Sequence, residues 1–126
     1  MNKAVYDTRF FAESYYSKDA SLLKRIRMHR MRKRYISAVV IHEVYNLALP
    51  REGRDVAKIK IAKLLEEFEV VPVDELIAQA SAELRQKYKL SMGDSMIAAT
   101  SLNLKAVCIS DDPHFEQIKE IETAWI

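Results

Sequence analysis

Apolar positions along the chain follow two rhythms. Short apolar runs at residues 4–6 (AVY), 35–37 (YIS), 69–73 (EVVPV) and 106–109 (AVCI) read as strands. Pro72 puts the third of these at a strand end or a sheet edge, and residues 123–126 suggest a last edge strand. Between the runs the spacing turns helical. Helices are expected over residues 8–16 and 20–32, the second with a stripe through Leu22, Leu23, Ile26 and Met31. Another spans 38 to about 49, closed by Pro50 and Gly53. In the next, Ala57, Ile61, Leu64, Leu65 and Phe68 share a face opposite Lys58, Lys60, Lys63 and Glu67. Asp74 and Glu75 suit the first turn of a helix that buries Ile77, Ala80, Leu84 and Tyr88. A largely apolar helix over 92–103 follows, then a short one from near Asp112. Strands alternating with helices predict an α/β fold: one domain over residues 1–126, three layers, a small parallel sheet flanked by helices.

Composition narrows the function classes. With 126 residues, 49% hydrophobic and 30% charged, the chain can bury a core and is not expected to be disordered. No apolar run approaches the roughly 20 residues that span a bilayer. Residues 1–10 carry one acid and two bases without a continuous apolar core, so no signal peptide is expected and the cytoplasm is the default location. Cys108 is the sole cysteine, read as a buried strand residue, which excludes an internal disulfide or a cysteine-based zinc site. Two glycines, Gly53 and Gly93, are too few for a P-loop or a GxGxxG phosphate cradle. The net charge of +2 hides an asymmetry: residues 24–34 (KRIRMHRMRKR) carry seven Lys/Arg and no acid, leaving −5 for the remainder. Such a stripe suits a polyanionic partner or a solvated helix face.

Three of the acidic residues have a plain structural explanation when taken singly. Asp7 closes a strand and opens a helix, a good N-cap position. Asp94 ends an S-x-x-D capping box begun at Ser91. Asp112 precedes Pro113, the pattern of an N-cap followed by proline. Glu43 differs, because Val39, Val40 and Leu47 lie one turn away. An apolar setting demands that a carboxylate be paired, protonated or metal-bound; a surface position beside His42 and Asn46 is the alternative. Ligands of an open parallel sheet collect beyond the carboxyl ends of the strands, near the reversal of strand order. Asp7 and Asp112 both stand at such ends, and adjacent strands lie about 5 Å apart. Glu43 falls about two turns into the helix after the second strand, and Asp94 opens the helix before the fourth. Carboxylates that converge repel one another unless a cation neutralises them. An oxygen-only set suits Mg²⁺ or Mn²⁺ better than zinc.

With these residues placed, the chain resembles a PIN domain over nearly its whole length. The matching pieces are YDTRFF at 6–11, ISAVVIHEVYNLAL at 36–49, LSMGDSMIAATSLNLKAVCIS at 90–110 and DDPHF at 111–115. The resemblance implies that Asp7, Glu43, Asp94 and Asp112 are the family's acidic positions, and that Thr8 and Ser110 are hydroxyl-bearing positions that help to arrange the site. The S/T-x-D-x-x-F spacing, through Ser110 and Phe115, selects Asp112 over its neighbour Asp111, which remains open to metal or an incoming phosphate. Size and the lack of added domains resemble the stand-alone VapC-type toxins of toxin–antitoxin pairs. That implies a metal-dependent endoribonuclease, a homodimer and a cognate antitoxin as partner.

The expected reaction is hydrolysis of an RNA phosphodiester by metal-activated water. Asp7 and Asp94 are the first choice as direct ligands. Glu43 and Asp112 are expected to bind a second ion, position ligand waters or assist proton transfer. Arg25, Arg27, Arg30, Arg32 and Lys33 of the stripe are candidates for holding backbone phosphates, which makes binding salt-sensitive. Arg9, beside the first acid, is read as a surface arginine or a substrate contact, and His42 and His114 as residues satisfying local hydrogen bonds or as acids or bases. Two other readings compete. A non-catalytic scaffold of the same fold has no use for all four acids. A phosphorylation-driven receiver domain requires an acidic pair after the first strand, which YDTRFF lacks.

Overall fold

Side-chain caps set most of the helix starts. The computed structural model describes residues 2–126. Its elements are β1 Lys3–Tyr6, α1 Thr8–Tyr16, α2 Ala20–Met28, β2 Lys33–Ser37, α3 Ala38–Glu67, β3 Glu69–Val71, α4 Glu75–Tyr88, α5 Met92–Leu104, β4 Val107–Ile109, α6 Pro113–Glu116 and β5 Thr123–Ala124. Asp19, Ser37, Asp74, Ser91 and Asp112 each accept a hydrogen bond from a backbone N–H in the first turn of the helix that follows. Those donors have no partner within the helix itself.

The strands form one parallel sheet in the order β3-β2-β1-β4-β5, flanked by helices. Register runs Val5 to Tyr35 on one side of β1, and Val5 to Cys108 on the other. The chain therefore steps outward through β2 and β3, then returns to start again beside β1 with β4. The reversal between β1 and β4 opens a crevice at their carboxyl ends, the place where such sheets hold ligands. Val5, Tyr6, Ile36 and Cys108 from the sheet are fully buried together with Val40, Ile97, Ala98 and Phe115 from the helices. Central parallel strands are covered on both faces, which is why β4 is apolar throughout.

Several boundaries differ from those the sequence suggests. α2 stops at Met28 rather than continuing to residue 32, because Lys33 and Arg34 already pair with Lys3 and Ala4 in the sheet. Backbone pairing with a distant strand outweighs the local helical preference of the basic run. Pro50 does not end α3; the break falls at Gly53, whose φ of 83° and ψ of 170° are open to glycine alone. Leu65 is half exposed rather than buried with Leu64. β3 ends at Val71, before Pro72.

A Cβ at residue 53 meets nothing within 4 Å, so the cost of Gly53→Ala is backbone strain alone. The substitution is expected to destabilise the protein by about 1–3 kcal/mol in urea titrations. No change would show that α3 runs unbroken through this position.

Candidate active site

Asp7 stands at the end of β1, only 3% exposed. Its side chain makes no cap bond to α1, which removes the plain explanation of this residue as an N-cap. Instead the Ser110 hydroxyl, reaching across from the end of β4, donates to Asp7 Oδ2 at 2.7 Å. Ser110 Oγ also accepts from the Asp112 N–H at 3.1 Å, and the Asp7 N–H extends the ladder to Ile109 O. Burial pushes the Asp7 carboxyl up to about 6; the Ser110 hydroxyl works against that rise, and the negative charge of Asp94 adds to it.

Asp94 lies in the first turn of α5, with its N–H donating to the Ser91 hydroxyl at 3.1 Å. Its carboxyl is raised by burial, then by the charges of Asp112 and Glu43, with His114 opposing. Asp112 caps α6 by accepting the His114 N–H at 2.9 Å, and His114 Nδ1 stands 3.0 Å from the same carboxylate oxygen. Ligating atoms of Asp94, Asp112 and His114 all lie within 4.8 Å of one another. The His114 ring thus makes the local contact expected of it, to Asp112, and also comes within reach of Asp94. Capping and site-building are compatible in Asp112, since one oxygen receives the cap.

Glu43 requires a correction. It is half buried rather than enclosed by apolar neighbours. Its Oε1 accepts the Thr8 hydroxyl, and Oε2 lies where a Cβ on Gly93 would come within 2.8 Å. Val39, Val40 and Leu47 are its neighbours along the helix, but the side chain extends past them toward α1 and α5. Gly93 is the site residue that sequence reasoning passed over. The available signal was scarcity: in a chain with two glycines, one placed directly before Asp94 calls for a reason.

The flanking residues divide. The Arg9 guanidinium bonds Asp111 through Nε and through Nη2, the latter at 3.1 Å, and holds that carboxyl below its ordinary range. His42 is exposed, while Cys108 is buried and its thiol is pushed up by burial. Arg25, Arg27, Arg30, Arg32 and Lys33 are all exposed, Arg25 and Arg27 on α2, Arg30 and Arg32 in the following loop, Lys33 on β2. Arg27 and Arg30, with Arg34, line a cleft of about 890 Å³ together with Phe10, Phe11 and Lys60. None of the four acids lines that cleft.

The donor set fits a hard divalent cation. Carboxylates that raise one another's proton affinity across a crevice are relieved when a cation takes the proton's place. The family model described as PIN domain matches residues 4–121. The chain belongs to the PIN domain family. This PIN domain superimposes on a chain of VapBC2 from Rickettsia felis bound to a DNA fragment from their promoter, with a TM-score of 0.80, 14% identity and 98% of each chain covered. For DNA-bound VapBC from Salmonella typhimurium the TM-score is 0.79 at 20% identity, covering 99% of this chain and 98% of that one. For VapC20 of Mycobacterium tuberculosis, a sarcin-ricin loop cleaving toxin, it is 0.75 at 20% identity, covering 94% and 98%. At these identities the likeness establishes the shared fold. Comparison with curated protein sequences returns no match.

The raised Asp7 makes stability depend on pH. Between the ordinary carboxylate value of 3.8 and about 6 the folded state keeps a proton that the unfolded state releases. Stability of the metal-free protein therefore falls as pH rises through that window. Asp7→Asn is expected to gain on the order of 2–3 kcal/mol in chelator at pH 7.5, and little at pH 3.5, by thermal denaturation. Equal effects at both pH values would show that Asp7 is not held by burial.

Proposed function

We propose that this PIN domain is a metal-dependent endoribonuclease, the toxin of a VapBC-type pair. The observation that carries the reading is the gathering of Asp94, Asp112 and His114 beside buried Asp7 at the reversal of strand order. A scaffold gains nothing from carboxylates that raise one another's proton affinity, since each costs stability at neutral pH.

In this reading Asp7, Asp94 and Asp112 hold Mg²⁺ or Mn²⁺. The bound ion supplies a more acidic water and offsets the charge that gathers on the phosphate. Ser110 fixes the rotamer of Asp7 and ties the end of β4 to it, so that the acids from two strand ends keep their spacing. Thr8 occupies Glu43 Oε1 and leaves Oε2, the atom against Gly93, to accept a proton from water. His114, exposed beside Asp112, is the candidate donor to a leaving oxygen. Arg25, Arg27, Arg30, Arg32 and Lys33 draw the RNA backbone in, and the attraction weakens with salt. The cognate antitoxin, a homodimer and a cytoplasmic setting belong to the same reading. Among the described residues no helix is long and apolar enough to cross a membrane.

Cleavage of a fluorescent single-stranded RNA with Mn²⁺ tests the proposal. Asp94→Asn and Asp112→Asn are each expected to lower kcat by about a hundredfold or more, the several kcal/mol a metal contributes to the transition state. Wild-type cleavage that persists in chelator, or variants as active as wild type, would sink it. Gly93→Ala offers a separate check on Glu43. The added methyl displaces the end of a flexible side chain, so stability is expected to change by less than about 1 kcal/mol. Activity is expected to fall about tenfold or more. Unchanged activity in a stable Gly93→Ala protein would remove Glu43 from the site.

A further inference from the structure

Arg9 and Asp111 form an ion pair between the two strand ends that carry the acids. Arg9 follows Thr8 in the first turn of α1, and Asp111 lies between Ser110 and Asp112 beyond β4. Arg9 Nε meets one oxygen of Asp111 and Nη2 the other, with Glu13 Oε1 also 3.6 Å from Nη2. That planar two-point fork is the geometry a guanidinium offers equally to two phosphate oxygens. Both partners are accessible, with side chains 48% and 33% exposed. An exposed pair of this kind is worth less than about fivefold in equilibrium terms, so it yields readily to another anion.

Need and position agree. The acids repel a phosphodiester, and the basic residues of the cleft stand apart from them. Arg9, paired with the residue next to Asp112 and two residues after Asp7, stands beside the acidic crevice. We propose that Arg9 is a phosphate-binding residue of the site, and that Asp111 is an internal stand-in for the phosphate, holding the guanidinium aimed until RNA displaces it. The inference rests on the RNA-cleaving reading and adds a substrate contact and a built-in competitor to it.

An exchange of anions couples the two partners: removing Asp111 tightens binding only while Arg9 is present, whereas the mere loss of a negative charge tightens it in either background. The test measures equilibrium binding of a short fluorescent single-stranded RNA by anisotropy with Ca²⁺, over a range of KCl, and its cleavage with Mg²⁺ in parallel. Arg9→Ala is expected to weaken binding about tenfold and to reduce the salt slope by about one, with Arg9→Lys recovering part of the affinity. Asp111→Ala is expected to tighten binding about threefold by freeing Arg9 and to leave the affinity of an Arg9→Ala protein unchanged; equal tightening in both backgrounds overturns the exchange. Both variants shifting affinity in the same direction, or neither shifting it while wild type binds and cleaves, overturns the exchange and leaves the ribonuclease reading intact. Opposite shifts without cleavage by wild type support the phosphate contact and overturn the nuclease. Thermal melts of all the proteins identify a variant that has lost its fold; for such a variant Arg9→Gln or Asp111→Asn takes its place.

Discussion

Asp7 is a carboxylate buried at the end of a central strand, and its single side-chain partner comes from the strand beside it. The Ser110 hydroxyl reaches Asp7 Oδ2 only because β4 returns to pair with β1, bringing Ile109 level with Tyr6. A buried charge of this kind is costly unless it is hydrogen-bonded and neutralised. The structure supplies the hydrogen bond but surrounds the charge with more of its own sign. Asp94 and Glu43 both raise the Asp7 carboxyl, and Asp112 raises Asp94. The site is thus held in an electrostatically unfavourable arrangement by the packing around it.

The packing that holds it is unremarkable in kind. α5 is buried through its middle, with Ile97, Ala98 and Ala99 in the core, and the Ser91 cap fixes its start, which sets the position of Asp94. Phe10 and Phe11 anchor α1, which places Thr8 against Glu43. Gly93 lets that carboxylate come close where any larger residue would push it aside. Functional groups gain their geometry from apolar neighbours that have no chemistry of their own.

Positive charge is distributed separately from the acids. Arg27, Arg30 and Arg34 face a cleft floored by aromatic side chains, where Arg34 stacks 4.2 Å from the Phe68 ring centroid. Arg9 alone among these arginines is tied to the loop that bears Asp112. A polyanion approaching this protein meets long-range attraction from one surface and local repulsion at another. The balance between them depends on ionic strength.

How much of this was legible in the chain follows from what each feature needs. The alternation of strands and helices and the caps at Ser91 and Asp112 are readable, since they depend on residues close together in the chain, and the parallel sheet follows from that alternation. The PIN motifs likewise lie in contiguous pieces. The basic run leaves its helix after Met28 because its tail is claimed by pairing with Lys3 and Ala4, some thirty residues back. The surroundings of Glu43 were misjudged for the same reason: its neighbours along the helix are apolar, while its neighbours in space are Thr8 and Gly93. The sequence by itself determined which residues could carry charge and where elements begin. Only the tertiary structure decided that Asp7 turns from capping its helix to meet Ser110, that His114 joins Asp94 and Asp112, and that Arg9 pairs with Asp111. Asp7 with Ser110, Arg9 with Asp111 and His114 with Asp94 join residues from different elements, and their strength depends on burial, which a linear pattern does not specify.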